Sequence, residues 1–398
     1  MKNILLIGVS TTGAIVANKL AKDLRSEIAK GKVKITALDR SECCTTNQAG
    51  FTFVPFGLFS PEDLMRPMKK VISPRIDIKL GKDGETTKVD VDNQVVEVAS
   101  GKKYEYDYLV IASGAVPDPS KIKGLSKDFL SFYKSLDDAI RVGEEIKKFE
   151  KGRIVIFTHS MPIPCPGAPG KFTVLLDDYL RYVRGEEVRN NIDISFIWPV
   201  KSIGPEAYNE VITQTLENKG VKIYREFEFD HVDESAKEVI STHGDRVKYD
   251  LLITVPPYRC ADFLVNSGLT DEKGWMSADK YTLQYTKDGK IYENVYIVGD
   301  SGPALILKTG VSAHYESYIV AQNIVNEIVG NRIKIPYRGE AGCPIVVSSY
   351  TTHTKGKAYL ASWTYGMPLK KFMPTEFGWY IYRMYYYLYW DMTIKAIM

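Results

Sequence analysis

The chain is 398 residues long, room for two or three domains, and its 44% hydrophobic and 25% charged residues suit a protein with ordinary cores. A net charge of +3 with no basic block argues against a nucleic-acid partner. Met1 leads almost directly into the strand-like "ILLIG", without a basic leader and a separate apolar segment, which points to a protein kept on the cytoplasmic side. Disulfide staples are rare there, so the five cysteines read as buried thiols or redox groups, and none has the C-x-x-C or Cys/His spacing of a zinc site.

In chain order, "KNILLIGVSTTGAIVANKLAKDL" gives a short apolar strand, a turn and an amphipathic helix. In the G-x-G-x-x-G register of a dinucleotide turn it supplies Gly8, Ser10 and Gly13. Gly8 permits the tight turn and Gly13 the close packing of helix on strand. Ser10 replaces the glycine that lets a pyrophosphate approach the backbone, which weakens the fingerprint without removing it. The next strand, "KVKITALDR", ends at Asp39 and Arg40, where an acid holds ribose hydroxyls. "DRSECCTTNQAG" then carries the vicinal pair Cys43 and Cys44, and "YDYLVIASGAVPD" is a strand ending in Ser113 and Gly114.

The middle of the chain has the pattern of a second nucleotide-binding fold: a strand over 153–158, a helix over about 171–184, the strand "DISFIWPV", a helix over 205–219, then "VKIYREFEF" and "DLLITVPP". The ligand signature is missing. The first turn, "THSMPIPCPGAPGK", offers no G-x-G-x-x-G, and the strand that should end in a ribose-binding acid ends in Pro199, Val200 and Lys201. Nor is "CPGAPGKFT" a phosphate loop, because Cys165 stands in the first glycine position and Phe172 follows Lys171. Cys165 precedes the expected helix, whose dipole would favour a thiolate there together with Lys171. A structural thiol in a proline-stiffened turn is the other reading. Cys260, in "VPPYRCADFL", reads as a core thiol.

Further on, "IYENVYIVGDSGPALILKTG" is a buried strand ending in Gly299 and Asp300, with a helix expected from about Thr309 and Gly310. "GEAGCPIVVSSYT" follows a break at "GNRIKIPYRG" and carries Cys343 beside a proline. The tail "FGWYIYRMYYYLYWDMTIKAIM" holds much of the chain's excess of tyrosine, with Arg383 and Lys395 among apolar residues and Lys370 and Lys371 ahead of it. No stretch of 18 or more apolar residues would span a membrane. An amphipathic aromatic helix suits the headgroup boundary, and it equally suits packing on the protein's own core or at a homo-oligomer interface.

The three flavin-type segments resemble the FAD-binding domain of the two-dinucleotide-domain flavoproteins. "CPGAPGK", "PALILKTG", the position of Cys343 and the aromatic tail resemble the sulfide:quinone oxidoreductases over essentially the whole chain. Type II NADH dehydrogenases and flavocytochrome c sulfide dehydrogenases are more distant relatives. The resemblance implies an α/β fold of two three-layer Rossmann-like domains of the FAD/NAD(P)-disulfide reductase type plus a C-terminal amphipathic helical region. The expected division is 1–118 with 258–334 for FAD, 119–257 for a second Rossmann-like domain carrying Cys165, and 335–398 for quinone and membrane docking. FAD would be held by Gly8, Ser10, Gly13, Asp39, Arg40, Ser113, Gly114, Gly299, Asp300, Lys308, Thr309 and Gly310.

Cys165 and Cys343 would form the redox pair, bridged when oxidised and attacked by hydrosulfide, with Cys343 as the flavin-facing thiolate. Lys308 would place positive charge near reduced flavin or a quinone oxygen. His159 and Glu340 are candidate proton acceptors, and Trp363, Phe377 and Tyr380 candidate quinone contacts. Hydrogen sulfide, a membrane quinone and the membrane surface are the implied partners of a monotopic enzyme. Many members have a third cysteine before the Cys165 motif. Here none lies between Cys44 and Cys165, and Cys43 and Cys44 could be that third thiol, a covalent flavin attachment or a plain loop pair.

Overall fold

The computed structural model describes residues 1–303, 307–349 and 354–397. Its elements follow the apolar periodicity closely. The first unit runs β1 (Lys2–Ile7), α1 (Thr11–Asp23), β2 (Val33–Asp39), β3 (Asp77–Leu80) and β4 (Tyr108–Ile111). The middle contributes β5 (Gly152–Thr158), α2 (Ala168–Tyr179), β6 (Ile192–Ile197), α3 (Glu206–Asn218), β7 (Lys222–Tyr224) and β8 (Leu251–Val255). The remainder gives β9 (Gln284–Lys287), β10 (Lys290–Ile297), α4 (Gly310–Ile328), β11 (Ala341–Ser348), β12 (Lys357–Trp363) and α5 (Glu376–Leu388).

One sheet has the order β9-β10-β4-β1-β2-β3. It is parallel except for β9 against β10. A second, fully parallel sheet has the order β7-β6-β5-β8. Strands such as β1, β4 and β5 are apolar almost throughout because helices cover both faces of such sheets. The C-terminal part is the antiparallel hairpin β11/β12, which pairs Cys343 with Ala361, followed by α5. This is the α/β arrangement of two Rossmann-like units with added C-terminal helices. The aspartate and glycines at the strand ends therefore lie at the carboxyl edge, where such sheets bind ligands.

Helix α2 starts three residues earlier than its pattern suggests, because Pro169 is pre-shaped for a first helical turn. Every residue of α2 is buried, including Asp177 and Asp178. Asp177 accepts from Arg189 Nε at 2.6 Å and Lys219 Nζ at 3.2 Å. Asp178 accepts from Lys219 and from the N–H and hydroxyl of Ser349, the latter two at 2.6 and 3.1 Å. These charges tie the second sheet's central helix to the chain just past β11. Removing one partner of a buried pair leaves the other desolvated and unpaired. Asp178→Ala should therefore lower unfolding stability by about 3 kcal/mol, read by urea titration. Asp178→Asn, which keeps an acceptor for Ser349, should lose less.

Candidate active site

The nucleotide turn after β1 is built for close approach. Gly8 has φ +87°, and a Cβ there would lie 2.5 Å from the Ala112 carbonyl oxygen at the end of β4. A Cβ on Gly13 would lie 1.9 Å from the Gly8 oxygen, so helix, turn and strand close up only with glycines. Ser10 is the residue before α1, and its hydroxyl accepts from Thr45 Oγ1 at 3.2 Å. Asp39 reaches back from β2 to accept from the Val9 N–H at 2.8 Å and the Ser41 N–H at 2.9 Å, while Arg40 is exposed. Ser113 and Gly114 meet the Asp300 turn through Ser301, whose hydroxyl lies 3.3 Å from Ser113 Oγ and donates to the Gly114 carbonyl.

At that turn, Lys308 Nζ donates to the Asp300 carbonyl at 2.9 Å and to the Gly302 carbonyl, and sits 4.2 Å from the centroid of Trp275. Burial pushes the Lys308 amine down and the Asp300 carboxyl up. Thr309 caps α4 by accepting from the Ser312 N–H, and Gly310 begins the helix. Residues 304–306 of "PALILKTG" lie outside the described residues. Glu316, nearly two turns into α4, carries no sequence signal. Its carboxylate accepts from the Gly299 N–H at 2.7 Å, and burial pushes it up to about 7.

These residues fit FAD. The Gly8–Gly13 turn leaves bare backbone where a pyrophosphate would lie. The Asp300 carboxylate receives no hydrogen bond from the described residues, leaving an acceptor for ribityl hydroxyls. The α4 N-terminus would face the flavin's charge.

Cys165 and Cys343, 178 residues apart in the chain, meet thiol to thiol in a buried chamber. Cys165 adopts φ +46°, and its N–H donates to the Lys308 carbonyl at 2.6 Å, joining the cysteine turn to the flavin segment. Tyr133 donates to the Cys165 carbonyl at 2.8 Å. The Tyr208 hydroxyl of α3 lies 3.8 Å from Cys343 Sγ. Lys171, only 3% exposed, donates to the Tyr382 hydroxyl at 2.6 Å, which lies 2.8 Å from that of Tyr386; both tyrosines are on α5.

Within the pair the proton is favoured on Cys165 and the negative charge on Cys343. The Cys343 thiol is drawn down to about 6, first by a hydrogen bond from the Cys165 thiol. Against the cost of burial, the Lys171 charge, the Tyr208 hydroxyl and the Gly167 N–H ahead of α2 pull the same way. Cys165 is pushed up because its proton is held by Cys343 and because it is buried. Lys171 favours the charged form of both thiols, while the Gly167 N–H ahead of α2 acts on Cys343. Tyr208, Tyr382 and Tyr386 carry no sequence signal, since tyrosine at helical spacing reads simply as core.

Other candidates stand apart. His159 Nε2 lies 3.2 Å from the Lys121 carbonyl and its ring packs on Phe229, while Glu340 accepts from the Arg338 N–H. Neither hydrogen-bonds to the thiols. Trp363 is buried, whereas Phe377 and Tyr380 are exposed, so the three do not form one stack. Cys260 is buried and donates to the Ser301 carbonyl at 3.2 Å. Cys43 and Cys44 face each other at 2.7 Å, away from the chamber.

Two outcomes follow from the chamber. The ultraviolet thiolate absorbance lost in Cys343→Ser should appear with a midpoint near pH 6, charged above and neutral below, and Lys171→Met should raise that midpoint by about one unit or more. A Cβ on Gly167 would lie 2.3 Å from Cys343 Sγ and 2.5 Å from the Tyr208 hydroxyl, so Gly167→Ala should abolish the low-pH thiolate while leaving the protein folded.

The model of the pyridine nucleotide-disulphide oxidoreductase family matches residues 2–157. A curated sulfide:quinone oxidoreductase, mitochondrial, from Dictyostelium discoideum is 29% identical over 94% of this chain and 80% of its own length. The solved sulfide:quinone oxidoreductase of Aquifex aeolicus matches 100% of this chain and 92% of its own, with a TM-score of 0.80 at 19% identity, which speaks for the fold. A type II NADH dehydrogenase structure from Plasmodium falciparum, solved with NADH, covers 100% of this chain and 96% of its own with a TM-score of 0.69 at 14% identity. Residues 2–157 are thus similar to the pyridine nucleotide-disulphide oxidoreductase family, and over most of its length the chain is similar to curated sulfide:quinone oxidoreductases.

Proposed function

We propose that the chain is an FAD-dependent sulfide:quinone oxidoreductase, oxidising hydrogen sulfide to polysulfide or sulfur through Cys165 and Cys343. The observation that carries this reading is the Cys343 thiolate set against the Cys165 thiol, in the turn where a second nucleotide loop would lie, one hydrogen bond from Lys308. We assign residues 1–118 and 258–334 to FAD, 119–257 to the frame of Cys165 and 335–398 to Cys343 and docking. FAD, which the residues fitted above would hold, would supply the two-electron acceptor between the sulfur chemistry and the quinone.

The chain's own residues set the direction of sulfur chemistry. In a bridged pair the sulfur with the lower pKa leaves faster, and that sulfur is Cys343. Hydrosulfide then attacks Cys165, forming a persulfide there and releasing the Cys343 thiolate. Lys171, held by Tyr382, balances the released charge, and Tyr208 and the Gly167 N–H donate to it. Reclosing the bridge with one more sulfur gives up two electrons, and repetition lengthens the sulfur chain. Lys308 holds the Asp300 turn through two carbonyls, so its role here is positioning.

The test is anaerobic stopped-flow of the yellow protein against sulfide and NADH in parallel. Bleaching by sulfide alone, reversed by a soluble quinone, is expected; bleaching by NADH alone would replace this reading with that of an NADH dehydrogenase. Cys165→Ser and Cys343→Ser should each slow sulfide bleaching by at least a thousandfold, in the range lost when a nucleophile of a catalytic unit is removed.

We place the quinone's entry at α5, with the protein held peripherally on the cytoplasmic face of a membrane. No helix of the described residues is long and apolar enough to cross one. Met373, Phe377, Tyr380, Met384 and Tyr387 are all exposed, and the four on α5 recur at helical spacing on one face. Replacing Met373, Met384 and Tyr387 by serine should weaken binding to anionic vesicles by roughly a thousandfold, since withdrawing each apolar side chain from lipid is worth about 1.5 kcal/mol. Unchanged vesicle sedimentation would move the docking face elsewhere.

A further inference from the structure

The sulfurs of Cys43 and Cys44 lie 2.7 Å apart on the surface, with Cys43 exposed and Cys44 half-buried. The backbone around them is pinned on every side. Ser41 Oγ donates to the Cys44 carbonyl at 2.7 Å and accepts from the Cys44 N–H at 3.3 Å, and the Met68 N–H donates to the Cys43 carbonyl at 2.9 Å. Residues Cys44–Thr46 pair with Met65–Pro67 as a short antiparallel ladder. The thiols are therefore held face to face by the fold, and neither interacts with Cys165 or Cys343.

The two thiols are also unlike. The Cys44 thiol is pushed up, chiefly by its hydrogen bond to Cys43, and Cys43 is the more exposed of the two, so Cys43 is the sulfur an incoming reagent meets first. Arg40, Lys69 and Lys70 are exposed on the segments that flank the pair, but so are Glu42, Glu62 and Asp63, so the substrate is set by sulfur exchange chemistry and not by net charge.

We propose that Cys43 and Cys44 form a second redox dithiol, separate from the Cys165/Cys343 chamber, whose substrate class is inorganic polysulfide. Cys43 attacks a terminal sulfur of the polysulfide. One S–S bond forms and one breaks, and the shortened sulfide anion leaves, so that Cys43 carries a persulfide. Cys44 then gives up its proton and attacks the Cys43 sulfur, expelling hydrosulfide and closing a disulfide between neighbours. For the two-sulfur anion the sum is two thiols plus HSS⁻ giving one disulfide, H₂S and HS⁻, with the thiols oxidised by two electrons and the sulfane sulfur reduced by two. Neighbouring Cα atoms are about 3.8 Å apart, closer than in ordinary disulfides, so the ring reopens readily in the presence of other thiols. The pair cycles; it does not staple.

The substrate is the product named by the proposed function, but the test does not depend on that activity. The FAD-loaded Cys165→Ser/Cys343→Ser protein is treated anaerobically with inorganic polysulfide, quenched with an alkylating agent and digested with trypsin. The peptide from Ser41 to Lys69 carries these two cysteines and no others. It should lose two hydrogens and escape alkylation, while in the additional Cys44→Ser variant it should gain one sulfur on Cys43. The same peptide from the unaltered chain should show the same oxidation, which guards against a folding fault in the variants. Two fully alkylated thiols after polysulfide treatment, or sulfur gained on Cys44 instead of Cys43, would overturn the proposal. Sulfide bleaching of the flavin in the unaltered chain is a separate readout, so its failure leaves this outcome standing.

Discussion

The meeting of Cys165 with Cys343 is the contact on which the rest of the molecule converges. A thiolate in a buried chamber costs desolvation, and four sources meet that cost: the partner thiol, the Lys171 ammonium, the Tyr208 hydroxyl and the Gly167 N–H. They come from the turn after β5, from α2 and from α3, while the thiolate itself sits on β11. No single segment could hold the charge, so the second sheet and the C-terminal hairpin must dock before the chemistry exists. The Asp178–Ser349 and Asp178–Lys219 links are where that docking is enforced.

The same constraint explains what became of the second nucleotide turn. A dinucleotide loop needs bare backbone, yet here the turn bears a cysteine at φ +46° whose N–H is spent on the Lys308 carbonyl. The helix that would have offered its N-terminus to a pyrophosphate offers the Gly167 N–H to Cys343 instead. Shape is kept, and the anion served by the helix changes from phosphate to thiolate. The backbone strain at Cys165 is the local cost of turning a thiol towards the flavin segment.

Much of this was legible in the sequence, and for identifiable reasons. Strands β1, β4, β5 and β10 announce themselves because both faces are buried, and Gly8, Gly13, Asp39 and Asp300 because a nucleotide turn tolerates few substitutes. Lys171 was visible as a charge one helical turn past a cysteine. Its target was not, because sequence spacing favours Cys165 while folding brings in Cys343 from 178 residues away. Tyr208, Tyr382 and Glu316 were hidden for a different reason: each occupies a position where an apolar or neutral side chain would satisfy the helix pattern equally well.

Helix α5 shows how one segment can serve two solvents. Trp379, Tyr382 and Tyr386 turn inward, where hydroxyls on two of them hold Lys171 and reach the Ala49 carbonyl. Phe377, Tyr380, Met384 and Tyr387 turn outward. Tyrosine suits both faces because its ring is content with apolar surroundings and its hydroxyl needs a single polar partner, whether a buried ammonium or a headgroup. The helix is thereby fixed to the thiol chamber on one side before anything binds the other. Whatever docks on the outer face meets a surface whose orientation is already set by the charge at Cys343, and the Gly310 turn that begins α4 lies against Tyr385 of the same helix. The outward aromatic face of α5 and the Lys171 side of the cysteine pair are consequently mechanical neighbours, joined through Tyr382 and Tyr386.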